Sequence, residues 1–230
     1  MESSLFNPIW VSLKTTFLAT GITFFIGIYA AYFVVRLKRY SGFWDGLFTL
    51  PMVLPPTVVG FFLLLLLGKN SMMGKVFALF DYNFIFSWEA TVVAAVVVSF
   101  PLMYRTTRGS FEQLDLNMIY AARTLGVSER KIFWRIVLPN CRYGILAGLV
   151  LTFTRSLGEF GATIMVAGNI SGKTQTMSTA IYAAVQAGDY ASAYRWVAIV
   201  VIVSFLVILL INYWTVWEKK AVKRRKAVKA

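Results

Sequence analysis

The chain has 230 residues, 58% of them apolar, a mean hydropathy of +0.68 and a formal net charge of +13. That apolar share, gathered into long runs, excludes an ordinary soluble domain and indicates a single all-α, polytopic membrane domain over 1–230. With no histidine and one cysteine, Cys141, neither a disulfide framework nor a metal site is expected, and no cofactor. The basic balance alone would fit nucleic acid, but in a membrane protein the placement of the charges says more, and no nucleic-acid partner is expected.

Five spans are expected, at about 10–35, 46–67, 88–104, 143–167 and 196–217. At ~1.5 Å per residue each crosses a ~30 Å apolar core, the third only just. The first is too long for a removable signal peptide, and Glu2 stands where such a peptide is basic. Three basic residues lie in 36–39, seven in 105–142, and seven after Trp217, together 17 of 23. The positive-inside rule makes that side cytoplasmic, so the N-terminus is expected outside and the C-terminus inside. Trp10, Trp88, Trp196, Trp214 and Trp217 near span ends suit interfacial belts. The basic tail, 218–230, reads as a topology anchor or a contact for anionic membrane lipid.

Two stretches interrupt the pattern. LPMVLPPTVVG, in the second span, carries Pro51, Pro55 and Pro56, which remove backbone donors and break or kink a helix. Such a break survives at membrane depth when it is buried in protein or lines a cavity, so a packing kink and a pathway-lining element both stay open. The segment 168–195 is too polar for an ordinary span. Within it MSTAIYAAVQAG fits a short re-entrant or half-crossing helix; a full crossing would make six spans and break the charge pattern.

Arg155 and Glu159 are the charged residues well inside the fourth span, and i,i+4 spacing puts them on one helical face. Intramembrane charge is costly and suggests function, so the pair is either a buried structural ion pair or part of a pathway or gate. The two charges largely cancel, and no tight anion site is expected there. AGNISGKT, from Ala167 to Thr174, fits the loose pattern of a phosphate-binding loop. A real one follows a β-strand in an α/β domain, whereas this one follows a membrane helix on the outer side by charge bias; nucleotide binding is not expected.

Between the third and fourth spans, the basic stretch 105–142 contains YAARTLGVSERKIFWRIVLP. Asn117 is positioned to cap a short helix that Gly126 ends; Ser128 is positioned to cap a second, stopped at Pro139. Gly126 marks the turn between them and is expected to hold a conformation that larger residues resist. Small Ala121 and Ala122 would let the hairpin approach a partner closely. From spacing alone the hairpin either docks a partner or merely joins two spans.

The spacing of Ala121, Ala122, Gly126, Ile136, Leu138 and Pro139 resembles the coupling motif of bacterial ABC importer permeases, Glu-Ala-Ala, three residues, Gly, nine residues, Ile-x-Leu-Pro. Tyr120 stands where that motif has glutamate, which removes any salt bridge made there. A second stretch, RSLGEFGATIMVAGNISGKTQTMSTAIY from Arg155, resembles the molybdate branch of the oxyanion permeases, with its Leu-Gly-Glu-Phe-Gly-Ala core; sulfate permeases carry a related segment. The proline-rich stretch resembles the family's second core helix. The resemblance implies a type I ABC importer permease in the bacterial cytoplasmic membrane, working as a homodimer. It implies two ATPase subunits inside and an extracytoplasmic molybdate-binding protein outside. The permease itself would not be an enzyme, ATP hydrolysis belonging to the partner. Molybdate, with tungstate, is the expected cargo, carried by alternating access. A sulfate or thiosulfate permease, and a secondary transporter or channel without an ATPase, are the alternatives.

Overall fold

A computed structural model describes residues 2–37 and 39–227, with side chains over 6–37 and 39–209. All regular structure among the described residues is helical. The chain divides into two compact units, Met1–Thr179 and Ala180–Ala230.

Three helices form the frame of the first unit. α1 (Glu2–Arg36) is apolar along most of its length and ends on the basic Arg36. α5 (Trp88–Glu112) starts at Ser87, whose hydroxyl accepts from Ala90 N–H at 3.3 Å. The two run parallel. Trp88 Nε1 donates to Thr15 Oγ1 at 2.9 Å near their starts, and Tyr32 faces Phe111 near their ends. At mid-depth a Cβ on Gly27 would lie 2.7 Å from Met103 Cγ, so glycine permits the close crossing. α8 (Leu138–Leu157) returns antiparallel between them, with Cys141 Sγ 3.3 Å from the Ser110 carbonyl and the Phe153 ring edge-on to Phe17.

Because α1 and α5 are parallel, residues 37–87 must cross back once. They do so as two helices, α2 (Ser41–Val53) and α3 (Pro56–Leu67), bent by 110° at Leu54–Pro55. α2 packs antiparallel to α5, Phe48 against Phe100 and Asp45 beside Tyr104. α3 then carries Val59 and Leu63 toward Ala90, Ala94 and Val98. The second span is therefore one crossing, broken far more sharply than a proline kink. α4 (Met72–Ala78), capped by Ser71, follows at the far end.

Three expected boundaries move. α5 runs past Tyr104 and Arg105, where the apolar run ends, to Glu112; in that added stretch Arg108 pairs with Asp45 and with Glu112 (2.7 Å). Pro139 does not stop a helix. α7 (Glu129–Ile132) passes through a π segment, Phe133–Val137, directly into α8, giving one 29-residue span from Glu129. Proline in a helix lacks an N–H and crowds the carbonyl four residues back; the wider π turn before it absorbs that crowding. Asn140 Nδ2 takes up the Ile136 carbonyl at 2.6 Å. At its other end this span stops at Leu157, ten residues earlier than expected.

α10 (Met177–Gln186) begins where Thr176 and Thr179 bond reciprocally through hydroxyls and backbone N–H groups, a threonine version of a capping box. Ten residues, ~15 Å, are too short to cross, as expected of the half-crossing segment. In the second unit, Asp189 caps α11 (Tyr190–Ala227) by accepting from Ser192 N–H at 3.0 Å, and the Ser192 side chain and backbone together hold its carboxyl below the usual carboxylate range. Tyr190–Leu209 is long and apolar enough to span. The side chains of Trp214, Trp217 and the basic tail lie outside those described.

Candidate coupling hairpin and pathway site

The hairpin is shorter than the 105–142 stretch: its independent part is 113–128, between α5 and α7. α6 (Leu116–Thr124) is capped by Asp115, not Asn117; the Asp115 carboxylate accepts from Asn117 N–H at 2.9 Å. It ends in a Schellman turn. Gly126 has φ +73, Gly126 N–H bonds Arg123 O at 2.9 Å, and Val127 N–H bonds Ala122 O at 3.1 Å. The left-handed backbone expected at Gly126 is present, and no atom lies within 4 Å of where its Cβ would be. Glycine is needed there for conformation, not for space.

Side-chain directions separate the motif residues. Tyr120 and Ala121 face outward, whereas Ala122 is buried against the core shared with Ile132 and Val137. Ala122 therefore packs inward and does not face a partner as expected; of the two alanines only Ala121 is exposed. Ile136 and Leu138 sit on the π segment and the start of α8, packed on the same core, and Pro139 is exposed beside them. They root the hairpin in the spans. Beside Tyr120 and Ala121, α6 and its turn expose Leu116, Met118 and Leu125, the last 81% exposed. Sequence reading passed over these three; apolar residues unaccounted for in a basic loop were the available signal.

An ion-pair bridge ties the hairpin to α1. Glu129 receives Arg123 on both oxygens (2.6 and 3.2 Å) and also pairs with Arg36. The carboxylate holds the Arg123 guanidinium above its ordinary pKa. The Arg123 guanidinium lies 5.9 Å from the Tyr120 ring, so the residue in the glutamate position joins the same cluster.

The second site is formed by two helix breaks that touch. α8 ends at Leu157, residues 158–160 are irregular, and α9 (Gly161–Val166) follows. α9 lies on α3 immediately after the proline break. A Cβ on Gly161 would meet Pro56 Cβ at 2.9 Å, and one on Gly60 would meet Ala162 Cα at 2.8 Å. Pro55 and Pro56 thus start the helix that packs on the signature stretch, while Pro51 lies within α2 on the other side of the bend. Arg155 and Glu159 do not share one helix, because the break falls between them. They still pair, Arg155 Nη1 to Glu159 Oε2 at 2.8 Å, with the carboxylate 2% and the guanidinium 32% exposed. Glu159 Oε1 accepts from Ala162 N–H at 2.7 Å and so satisfies an orphan donor at the start of α9.

The phosphate-loop look-alike is a turn between α9 and α10. Lys173 is exposed, and Thr174 Oγ1 accepts from Ile170 N–H at 3.0 Å. No strand precedes it among the described residues, so the context a nucleotide loop requires is missing.

A helical bundle with broken inner spans and a hairpin that exposes apolar side chains has the architecture of a membrane transport permease. Two solved structures share the fold: the MetNI methionine ABC transporter (TM-score 0.73, 15% identity, 93% of this chain and 95% of that one) and a bacterial ABC transporter importing alginate (0.78, 15%, 92% and 78%). The chain belongs to the family of binding-protein-dependent transport system inner membrane components, whose model matches residues 23–224. Curated relatives include the putative molybdenum transport permease YvgM of Bacillus subtilis, 39% identical over 91% of this chain and 93% of that one. The molybdenum transport permease ModB of Escherichia coli is 40% identical over 91% and 94%. The sulfate permease CysT of Salmonella typhimurium is 35% identical over 88% and 73%.

Proposed function

We propose that this chain is the permease subunit of an ATP-driven importer that carries molybdate, and its congener tungstate, across the bacterial cytoplasmic membrane. The observation that carries the reading is 39–40% identity to molybdenum permeases along nine-tenths of the chain. Two copies enclose the route, two ATPase subunits bind the hairpins inside, and a molybdate-binding protein docks outside. The N-terminus is outside and the C-terminus cytoplasmic. ATP closes the ATPase dimer and draws the hairpins together; the Arg123–Glu129–Arg36 bridge passes that motion to α1, and the α7–α8 span passes it to the break at 158–160. The paired breaks of α3 and α9 sit beside the route, with Arg155–Glu159 holding their geometry. The outward apolar face of α6 supports the docking role, since exposed apolar surface on a cytoplasmic element favours a protein partner.

Sided labelling and co-purification test this. With Cys141 replaced, single cysteines at Ser4 and Ser171 should label in intact cells and one at Ser128 only after permeabilisation. The tagged permease should retain an ATPase subunit. External labelling of Ser128 would overturn the orientation and the coupling role with it. The sulfate permease at 35% identity favours a second, narrower-margin reading, sulfate transport, which competition between the two anions separates.

A further inference from the structure

Between α1 and the α7–α8 span an open groove of about 510 Å³ runs along the bundle surface. Its floor is apolar, formed by Phe24, Ile28, Phe133 and Ile145, and its charged end carries Arg36, Glu129 and Arg130. From Phe24 to Arg36 is twelve residues, about 18 Å along α1, slightly more than one leaflet's share of a ~30 Å core. The π segment supplies Phe133 and the exposed Trp134 on one wall, and exposed Tyr29 lies on the other.

The charged end is not neutral. Glu129 is already shared by Arg36 and Arg123, while Arg130 is exposed and makes no ion pair with any described residue. Three guanidinium groups thus face one carboxylate. Such a surplus next to an apolar groove of leaflet depth, with Trp134 beside it, matches one ligand chemistry: a phosphate ester joined to hydrocarbon. We propose that the groove binds an anionic glycerophospholipid of the cytoplasmic leaflet, its acyl chain along Phe24, Ile28 and Ile145 and its phosphate on Arg130 and the free donors of Arg36. The lipid then touches the bridge between hairpin and α1, so membrane composition bears on coupling. The leaflet assignment rests on the orientation proposed above, which the Ser128 label tests separately.

The test uses the full chain with its ATPase in phosphatidylcholine vesicles containing either brominated phosphatidylglycerol or brominated phosphatidylcholine. The Trp134 signal is the fluorescence difference between the native protein and Trp134→Phe. Brominated phosphatidylglycerol should quench Trp134 more strongly, and Arg130→Gln should reduce that preference roughly fivefold, the loss of one cation's attraction to an anionic headgroup. Equal quenching by the two lipids, or a preference unchanged in Arg130→Gln, would overturn the site. Quenching by neither would mean that protein covers the groove, which also overturns it. Selective quenching in a complex that moves no molybdate would keep the lipid site and refute the transport assignment instead.

Discussion

The Arg155–Glu159 pair is asymmetric, and so are the expected effects of breaking it. Glu159 is 2% exposed; Arg155 is 32% exposed. Arg155→Gln strands a buried carboxylate whose Oε2 has no partner besides Arg155. Losing one partner of a buried pair costs ~3–5 kcal/mol, and the open guanidinium puts this case near the lower figure. For a chain of this size ~3 kcal/mol corresponds to a melting temperature lowered by about 6–12 °C. Glu159→Gln is milder. The amide oxygen still accepts from Ala162 N–H, and Arg155 already reaches the protein surface, so ~1 kcal/mol is expected. The double variant should melt above Arg155→Gln alone, because no charge is then stranded. Thermal unfolding of the purified permease reads all four corners of the cycle. A wild-type melting temperature for Arg155→Gln, or a double variant no more stable than it, would refute the reasoning. A double variant that is stable yet fails to take up molybdate would move the pair from structure to pathway.

Three further outcomes are expected. Gly126→Val should weaken ATPase retention or uncouple hydrolysis, since φ +73 costs a side chain ~1–2 kcal/mol, while Gly126→Asn, which tolerates that conformation, should stay near wild type; ATPase pull-down compares them. Gly161→Ala should lower the melting temperature by forcing α9 off Pro56, an overpacking cost of ~1–3 kcal/mol, whereas Gly158→Ala, whose Cβ would meet nothing nearer than 3.8 Å, should be tolerated. Lys173→Ala should leave ATP hydrolysis by the assembled complex unchanged, and loss of nucleotide binding would revive the phosphate-loop reading.

What the sequence disclosed follows from range. Apolar runs report burial in lipid along one helix, so the five spans were legible, as was the left-handed turn at Gly126, which a local motif dictates. Pro51, Pro55 and Pro56 announced a break, but its 110° angle depends on α2 packing against α5 and α3 against α9. Pro139 was misread as a stop because the π segment that accommodates it leaves no mark in residue type. The expected third span stopped at Arg105, where the apolar run ends, and the Arg108–Asp45 pair on the helical turn beyond it joins residues 63 apart. The Arg36–Glu129 bridge joins residues 93 apart, and local pattern carries no trace of it. Ala122 and Ala121 are identical as residues; only the helix's placement on the core sends one inward.

The most direct test of the central claim is anion uptake into proteoliposomes holding the permease, its ATPase and its binding protein, with ATP inside. Uptake of molybdate that requires ATP, is displaced by tungstate and resists excess sulfate is the predicted result. Uptake that persists without the ATPase, or that follows sulfate in preference to molybdate, would contradict it.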